Sequence, residues 1–353
     1  MDIEYLDTKS EKFDEIVQDI KQRNLSRNNM PKLIVGTGLS IIYGVPGMTA
    51  LTVELDNKIN NSDNTELISM WKKHYESIFL NGLEAGLSNI TQGENILVDE
   101  IRAITAKFIL ESEEKIHCSI LQRDTGFSKL LKYLSETVSV SKKIIDIMTP
   151  NYDRIIEIIC DKLGIGVITG FTGSLYCSFN KNILKKPTDV YNCKDSIWVR
   201  LFKPHGSINW LNEDGKIYLS NDYEVLNNKS ELIEIVTPGS SKYKVTMTNN
   251  TFRYMREDFN ELLNNENNYS LLIYGYGFND AHFDAALFES FQKNVLIISR
   301  DVKQEIIDKA LGQKNITIFY HKDDKEYMIY KSKKYIIDIS LWDIDKFADV
   351  FIA

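Results

Sequence analysis

The chain has 353 residues, 43% hydrophobic and 26% charged, which is typical of a folded globular protein with one large domain or two smaller ones. Its 42 lysines and arginines and 50 aspartates and glutamates give a net charge of −8, and no basic run is interleaved with aromatic residues, so we do not expect unaided nucleic-acid binding. No apolar stretch reaches the roughly 18 to 20 residues that span a bilayer, and the acidic N-terminus is unlike a secretory signal, which predicts a cytoplasmic protein with no membrane association.

The cysteines do not indicate a metal site or a disulfide framework. Cys118, Cys160, Cys177 and Cys193 are scattered and form no Cys-x-x-Cys pair. The histidines likewise show neither His-x3-His nor His-x-x-Glu-His spacing. We therefore expect reduced, mostly buried thiols and no metal cofactor.

The first part of the chain predicts a helix, a loop and then a strand. Apolar residues recur at helical spacing over residues 10–24, and a polar segment follows up to residue 29. We take residues 1–29 as an N-terminal helix and loop and residues 30–353 as the main domain. Within it, an apolar strand at 32–35 runs into a glycine turn, and a helix is expected to start after Pro46 and Gly47.

The remainder alternates between strands and helices after one long helical stretch. Residues 60–134 show only helical spacing, which predicts a helical insertion. Helical patterns at 154–163 and 282–292 then separate several of the strands, as in a Rossmann-like, doubly wound, mostly parallel α/β sheet. A strand-rich tail is expected over about 300–353, starting with a helix at 302–311. The predicted strands after the insertion are 144–148, 167–170, 199–202, 234–236, 271–274, 295–298, 316–320, 327–330 and 335–339.

Four short polar or glycine-rich segments each follow a predicted strand. They are Gly36-Thr37-Gly38-Leu39-Ser40, Thr149-Pro150-Asn151-Tyr152-Asp153, His205-Gly206-Ser207 and Gly275-Tyr276-Gly277-Phe278-Asn279-Asp280. Ligands bind at the carboxyl edge of open α/β sheets, so these segments are expected to meet in one crevice. Glycine loops suit phosphate groups because the backbone can approach closely, and histidine is a common general base near neutral pH.

Each segment also has a purely structural alternative. The glycine pairs are compatible with tight turns from strand to helix, in the second case with Asn279 or Asp280 as the helix cap. Asp153 is compatible with a role as the N-cap of the helix that follows it. His205 is compatible with a partly buried histidine that bonds only the backbone, and Trp210 is expected in the core.

Taken in order, these segments resemble the sirtuin superfamily, in particular its bacterial SIR2-like antiphage defence NADases, over about residues 32–300. The resemblance implies that Asn151 holds the nicotinamide ribose and positions water. It further implies that Asp153 contacts the nicotinamide amide and that His205 accepts a proton from a ribose hydroxyl. Asn151 and His205 are thus the expected catalytic residues.

The resemblance also implies which residues bind the rest of the dinucleotide. Gly36, Gly38 and Ser40 are expected against the pyrophosphate, and Gly275 and Gly277 near the adenosine half. Thr37 and Asn279 are expected among the residues that bind the dinucleotide.

Two departures from the deacetylase branch concern the acyl-lysine groove. Residues 44–49 read Gly-Val-Pro-Gly-Met-Thr where deacetylases have Gly-Ile-Pro-Asp-Phe-Arg, and the zinc module with its Cys-x-x-Cys pairs is missing. We therefore predict an NAD+ glycohydrolase that uses NAD+ as substrate and needs no metal. The resemblance implies that it depletes NAD+ during phage infection. A protein deacylase and a non-catalytic sensor of NAD+ or ADP-ribose are the alternatives. A homo-oligomer is expected, and a HerA-type ATPase is a candidate partner.

Overall fold

The computed structural model describes residues 3–88, 90, 94–141, 143–239 and 249–352. Within these residues it is a mixed α/β structure with two sheets. The strands are β1 Glu4–Tyr5, β2 Pro31–Val35, β3 Ile144–Met148, β4 Gly166–Ile168, β5 Phe171–Thr172, β6 Cys177–Phe179, β7 Trp198–Phe202, β8 Gly206–Glu213, β9 Lys216–Leu219, β10 Ile233–Ile235, β11 Ser270–Tyr274, β12 Val295–Ile298, β13 Ile316–Lys322, β14 Lys325–Tyr330 and β15 Lys333–Ile337. The helices are α1 Glu11–Asn24, α2 Thr37–Tyr43, α3 Met48–Asn60, α4 Thr65–Asn81, α5 Leu83–Gly86, α6 Asn95–Gln122, α7 Gly126–Thr137, α8 Ile155–Leu163, α9 Lys181–Lys185, α10 Tyr223–Asn228, α11 Asn250–Asn265, α12 Ala281–Glu289, α13 Gln304–Gly312 and α14 Ile344–Phe351.

The main sheet has ten strands in the order β1-β15-β14-β13-β12-β11-β2-β3-β7-β4. Strand β14 is antiparallel to both neighbours, and the other described pairs are parallel. Every residue of β2, β3 and β11 is buried, because helices cover both faces of a parallel sheet. The structure confirms the predicted Rossmann-like, mostly parallel α/β fold.

A second sheet was not predicted. Its five strands are ordered β10-β8-β9-β6-β5, and all its described pairs are antiparallel. The predicted strand at 234–236 lies here, as β10, and not in the main sheet. Residues after His205, expected only as a turn, form the long strand β8. Gly206 opens it at φ 80°, and a Cβ there would lie 2.4 Å from the Glu234 carbonyl oxygen, so glycine is required where β8 and β10 meet.

The described residues of the predicted helical insertion, 60–134, contain helices α4, α5 and α6 and the start of α7, while residues 89 and 91–93 lie outside the described residues. Helices α4, α5 and α6, with α3, bury a hydrophobic cluster separate from the two clusters that flank the sheet. Trp71 at the centre of this cluster has no exposed surface. The insertion thus has an apolar core of its own, which holds its helices together beside the sheet.

The predicted helix after Pro46 and Gly47 is present as α3, but an additional helix, α2, precedes it. Helix α2 begins at Thr37, directly after Gly36, and ends at Tyr43, because its C-cap Gly44 has a φ of 93°. Within the described residues no single helix is long and apolar enough to cross a membrane, although the pair α2–α3, bent by 79°, passes by length and composition alone.

The first and last described segments contribute to the main sheet or to the helices near it. Strand β1 pairs in parallel with β15, so the N-terminal segment forms an edge of the sheet. The tail has the three predicted strands and adds helix α14, which was not predicted and packs on α7. A Cβ on Gly126 would lie 2.0 Å from the Ile344 carbonyl oxygen, so these two helices touch backbone to backbone.

Candidate active site

The four sequence segments meet, as expected, at the carboxyl ends of adjacent strands. Strands β11, β2, β3 and β7 are neighbours in the sheet, and their last residues are in register: Tyr274 pairs with Val35, and Met148 with Phe202. The loops after them border an open cleft, a concave surface of the kind in which small molecules bind. The cleft is lined by Thr37, Ser40, Ile41, Val45, Pro46, Gly47, Met48, Leu51, Glu84, Ile109, Pro150, Asn151, Tyr152, Asp153, His205, Tyr276, Gly277, Asn279 and Asp280.

The two glycine loops pack against each other at the edge of this cleft. The Gly36 N–H donates to the Tyr274 carbonyl at 2.8 Å, and the Gly38 N–H donates to the Gly275 carbonyl at 3.0 Å. A Cβ on Gly38 would lie 2.6 Å from the Gly275 Cα, and one on Gly36 would lie 2.4 Å from the Gly275 oxygen. These three glycines are therefore needed for loop-to-loop contact. The described lining includes Thr37, Ser40 and Gly277 but not these three, whose contact with the dinucleotide stays a prediction.

Asn151, Ser40 and Asp153 form a buried hydrogen-bonded chain. The Asn151 Nδ2 donates to the Gly36 carbonyl at 2.9 Å and to Ser40 Oγ at 3.0 Å, and Ser40 Oγ donates to Asp153 Oδ2 at 2.6 Å. Because a carbonyl only accepts, the first bond fixes which end of the Asn151 amide carries the hydrogens. Asn151 Oδ1 is buried and has no partner among the described residues. A ligand hydroxyl is the kind of donor that this oxygen lacks.

Asp153 lies one residue before the N-cap of α8, which is Arg154, and it also lines the cleft, while its contact with the nicotinamide amide stays a prediction. Its Oδ1 accepts a hydrogen bond from the Ile155 N–H at 3.2 Å, at the start of α8, while its Oδ2 faces Ser40. Burial raises the pKa of Asp153, and the Lys203 ammonium and the Ser40 bond oppose that rise. The residue therefore stabilises the first turn of α8 and also lines the cleft.

Lys203 is a buried charge that the sequence analysis did not identify. Only 1% of it is exposed, and its Nζ donates to the Asp153 carbonyl and, at 2.8 Å, to Ser207 Oγ. It also pairs with Glu157 Oε1 at 3.2 Å; burial raises the pKa of Glu157, and the Lys203 charge opposes this. Lys203 thereby joins the end of β7, two residues before His205, to the turn that carries Asp153.

His205 pairs with a carboxylate from another loop. Its Nε2 lies 2.8 Å from Asp280 Oδ2, and its backbone carbonyl accepts from the Val236 N–H at 2.8 Å. Asp280 Oδ1 accepts from the Phe283 N–H at 3.1 Å, so Asp280 also caps α12, as one sequence alternative proposed. Trp210 is 1% exposed and lies in the core as predicted.

A second buried network, of hydrogen bonds and an ion pair, holds the turn that contains Asn151 and Asp153. Glu113 of helix α6 is fully buried and pairs with the Arg154 guanidinium at 2.7 Å. The same carboxylate also accepts from the Arg154 backbone N–H and, at 3.0 Å, from the Tyr223 hydroxyl. The insertion thus anchors the turn on which two predicted site residues lie.

The described lining of the cleft is acidic. It includes the carboxylates of Glu84, Asp153 and Asp280 and neither lysine nor arginine. Glu84 comes from α5, and Leu51 and Ile109 come from α3 and α6, so the insertion and the adjacent helix form one wall. Negative charge with an apolar wall favours a ligand that carries or develops positive charge.

Two further predictions concern thiols and metals. The four cysteines are free, and all but Cys118 are buried, as expected. Across the ranges 3–88, 90, 94–141, 143–239 and 249–352, there is no group of three or more His, Cys, Asp or Glu side chains arranged to hold a metal ion. Metal independence of the activity stays a prediction.

The part of the chain that matches a known family contains most of the predicted site residues. A SIR2-like domain matches residues 146–319, from within β3 to within β13, and this range contains Asn151, Asp153, His205 and the 275–280 loop. The match supports the sirtuin-like superfamily, whose SIR2-like members are generally NAD-dependent enzymes. The first glycine loop lies before the matched range. No curated protein matches the chain.

Proposed function

We propose that this protein is an NAD+ glycohydrolase, which cleaves NAD+ into nicotinamide and ADP-ribose. The observation that carries the proposal is the convergence of Asn151, Asp153 and His205 in one acidic cleft, within the range that matches a SIR2-like domain. The amide oxygen of Asn151 that lacks a partner supports a contact with a ribose hydroxyl or with water.

Cleavage of the glycosidic bond in NAD+ depends more on the positioning of the substrate and on stabilisation of positive charge than on a strong acid. Nicotinamide is already a cationic leaving group in NAD+, so the bond from ribose C1′ to the ring nitrogen breaks with its electron pair remaining on nicotinamide. Water then adds to C1′ and loses a proton to solvent. The sugar develops positive charge in the transition state, which the carboxylates Glu84, Asp153 and Asp280 would stabilise from the cleft lining.

Three residues have distinct functions in this scheme. Asn151 orients the ribose and the attacking water, and Asp153 receives the nicotinamide amide. His205 accepts the proton of a ribose hydroxyl while positive charge develops on the sugar, and it returns that proton once water has added to C1′. Thr37, Ser40, Gly277 and Asn279 line the same cleft and are available to the remainder of the dinucleotide.

Water is favoured over an acyl-lysine peptide as the acceptor of the ADP-ribosyl group. Helices α3, α5 and α6 contribute Met48, Leu51, Glu84 and Ile109 to one wall of the cleft. That wall is continuous with the insertion's own apolar core, to which Leu51 belongs. This arrangement supports a cleft built for a small molecule.

Nicotinamide release from NAD+ tests the proposal when it is measured with and without an acyl-lysine peptide. A glycohydrolase releases nicotinamide without peptide, and a deacylase releases it only with peptide. A non-catalytic sensor shows thermal stabilisation by NAD+ with no release under either condition. Either of the last two outcomes would overturn the proposal.

We further propose that the activity serves antiphage defence by NAD+ depletion in the cytoplasm and is controlled by assembly into a homo-oligomer, with a HerA-type ATPase as candidate partner. Tyr75, Phe79 and Leu80 near the end of α4 are exposed apolar side chains, with Phe79 78% exposed, which supports subunit contacts through the insertion. Light scattering and NAD+ hydrolysis across a dilution series, for the wild type and Phe79→Lys, test this. A monomer with full, concentration-independent activity contradicts it.

A further inference from the structure

We propose that Asp280 is the positioning residue for His205: its carboxylate holds the imidazole with the proton on Nε2 and compensates the charge that the ring acquires when it accepts a proton. The effect of Asp280 on catalysis rests on the proposed NAD+ hydrolysis. The contact between the Asp280 and His205 side chains does not depend on that proposal.

The contact joins two loops that are distant in sequence. His205 follows β7 and Asp280 follows β11, with β2 and β3 between those strands in the sheet. Nevertheless, His205 Nε2 and Asp280 Oδ2 are 2.8 Å apart, and their side chains are only 9% and 17% exposed. A partly buried, charge-assisted bond of this length constrains the ring much more than a surface pair would.

The backbone fixes both partners of this pair. Asp280 Oδ1 accepts from the Phe283 N–H at 3.1 Å, and the Asp280 carbonyl accepts from the Asp284 N–H at 2.7 Å. On the other side, the His205 carbonyl accepts from the Val236 N–H at 2.8 Å. The carboxylate is therefore held against the imidazole by the start of α12, and the imidazole is held by the start of β8.

The pairing determines which ring nitrogen can act as a base. An ionised carboxylate only accepts hydrogen bonds, so Nε2 must carry the hydrogen and Nδ1 must carry the basic lone pair. When Nδ1 takes the proton from a ribose hydroxyl, that O–H bond breaks, its electron pair stays on the ribose oxygen, and the ring becomes an imidazolium beside the Asp280 carboxylate. Once water has added to C1′, the imidazolium returns the proton to the ribose oxygen, and His205 is neutral again.

Other charges near the pair have partners of their own. Glu84 of α5 and Asp153 of the turn after β3 line the same cleft. Lys203, at the end of β7, is paired with Glu157 at 3.2 Å, and Asp284 of α12 accepts from the Tyr276 hydroxyl at 2.8 Å. Asp280 makes a direct contact with His205 Nε2 at 2.8 Å.

The substitution Asp280→Asn separates this function from helix capping. Asparagine caps helices about as well as aspartate, so α12 keeps its cap while His205 loses the negative charge. Asp284→Asn is the matched control, since it makes the same chemical change one helical turn later and leaves the Asp280–His205 contact in place.

The experiment combines histidine NMR with pH–rate profiles. The protein with isotopically labelled histidine is titrated, and His205→Gln identifies the His205 resonance among the five histidines. In Asp280→Asn that resonance is expected to titrate at lower pH than in the wild type, and in Asp284→Asn close to the wild-type position. NAD+ hydrolysis by Asp280→Asn is expected to fall about 10- to 100-fold, with the acidic limb of kcat/KM moved to lower pH.

An unchanged His205 titration in a folded Asp280→Asn variant would overturn the inference, and so would an unchanged acidic limb in an active one. Wild-type protein that releases no nicotinamide would refute the proposed function instead. In that case the titration alone decides whether Asp280 controls His205, so the two failures remain distinguishable.

Discussion

Replacing Gly38 by alanine is expected to destabilise the protein even when no ligand is present. The new Cβ would lie 2.6 Å from the Gly275 Cα and 3.3 Å from the Gly275 oxygen. Both are backbone atoms, so no side-chain rotation can relieve the collision. The loops after β2 and β11 must move apart, which also strains the bond from the Gly38 N–H to the Gly275 carbonyl.

Two opposing effects determine how much Gly38→Ala changes the free energy of unfolding. Gly38 lies in α2, where alanine is intrinsically favoured over glycine by about 1 kcal/mol. Forcing a methyl group into a tightly packed region costs about 1 to 3 kcal/mol, and a collision between backbones belongs at the upper end of that range. The net expectation is a loss of about 1 to 2 kcal/mol in the free energy of unfolding, measured by urea denaturation without NAD+.

Gly312→Ala provides the control. Gly312 is the last residue of helix α13, and a Cβ there meets nothing within 4 Å, so the same substitution should be neutral or stabilising by up to about 1 kcal/mol. If Gly38→Ala is as stable as the wild type without ligand, the loop-to-loop explanation of the glycines is wrong. Contact with the dinucleotide would then be the better explanation.

Three further predictions concern charge and metals. Glu113→Gln leaves the buried Arg154 guanidinium without its counter-charge. It is expected to lower the free energy of unfolding, measured in urea, by about 3 kcal/mol. A loss below about 1 kcal/mol contradicts the inference that Glu113 anchors the turn containing Asn151 and Asp153. Burial raises the pKa of Asp284 to about 6, above the roughly 3.9 of an unfolded aspartate. The free energy of unfolding of the wild type should therefore fall as pH rises from about 4 to about 6, and Asp284→Asn should lack that fall. Parallel curves of unfolding free energy against pH for the wild type and Asp284→Asn would refute this. Extended treatment with a chelator is expected to leave NAD+ hydrolysis and the melting temperature unchanged. Metal independence would be contradicted if elemental analysis found stoichiometric zinc and removal of the zinc abolished activity.

The sequence predicts the main sheet because its strands are short apolar runs followed by glycine or polar residues. Central parallel strands are buried on both faces and therefore read as continuous apolar segments, as residues 144–148 and 271–274 do. The same pattern places Asn151, His205 and the 275–280 loop at one edge of the sheet. The second sheet was missed because β5 has two residues and β6 and β10 have three each, so its pairing depends on the tertiary structure.

Long-range pairs in the site could not be predicted from local patterns. His205 and Asp280 are 75 residues apart, and Glu113 and Arg154 are 41 apart. A single sequence contains no information on which charges meet across such distances. The glycines show a related limit, since close approach to a phosphate and close approach to another loop both require the absence of a Cβ. The structure shows the second for Gly36, Gly38 and Gly275.

The rate of nicotinamide release by Asn151→Ala and His205→Ala, compared with the wild type, tests the central claim most directly. Both residues line the cleft, and their removal should lower NAD+ hydrolysis about 100-fold or more while the melting temperature confirms that each variant is folded. A folded variant of either residue that keeps most of the activity of an active wild type would contradict the account.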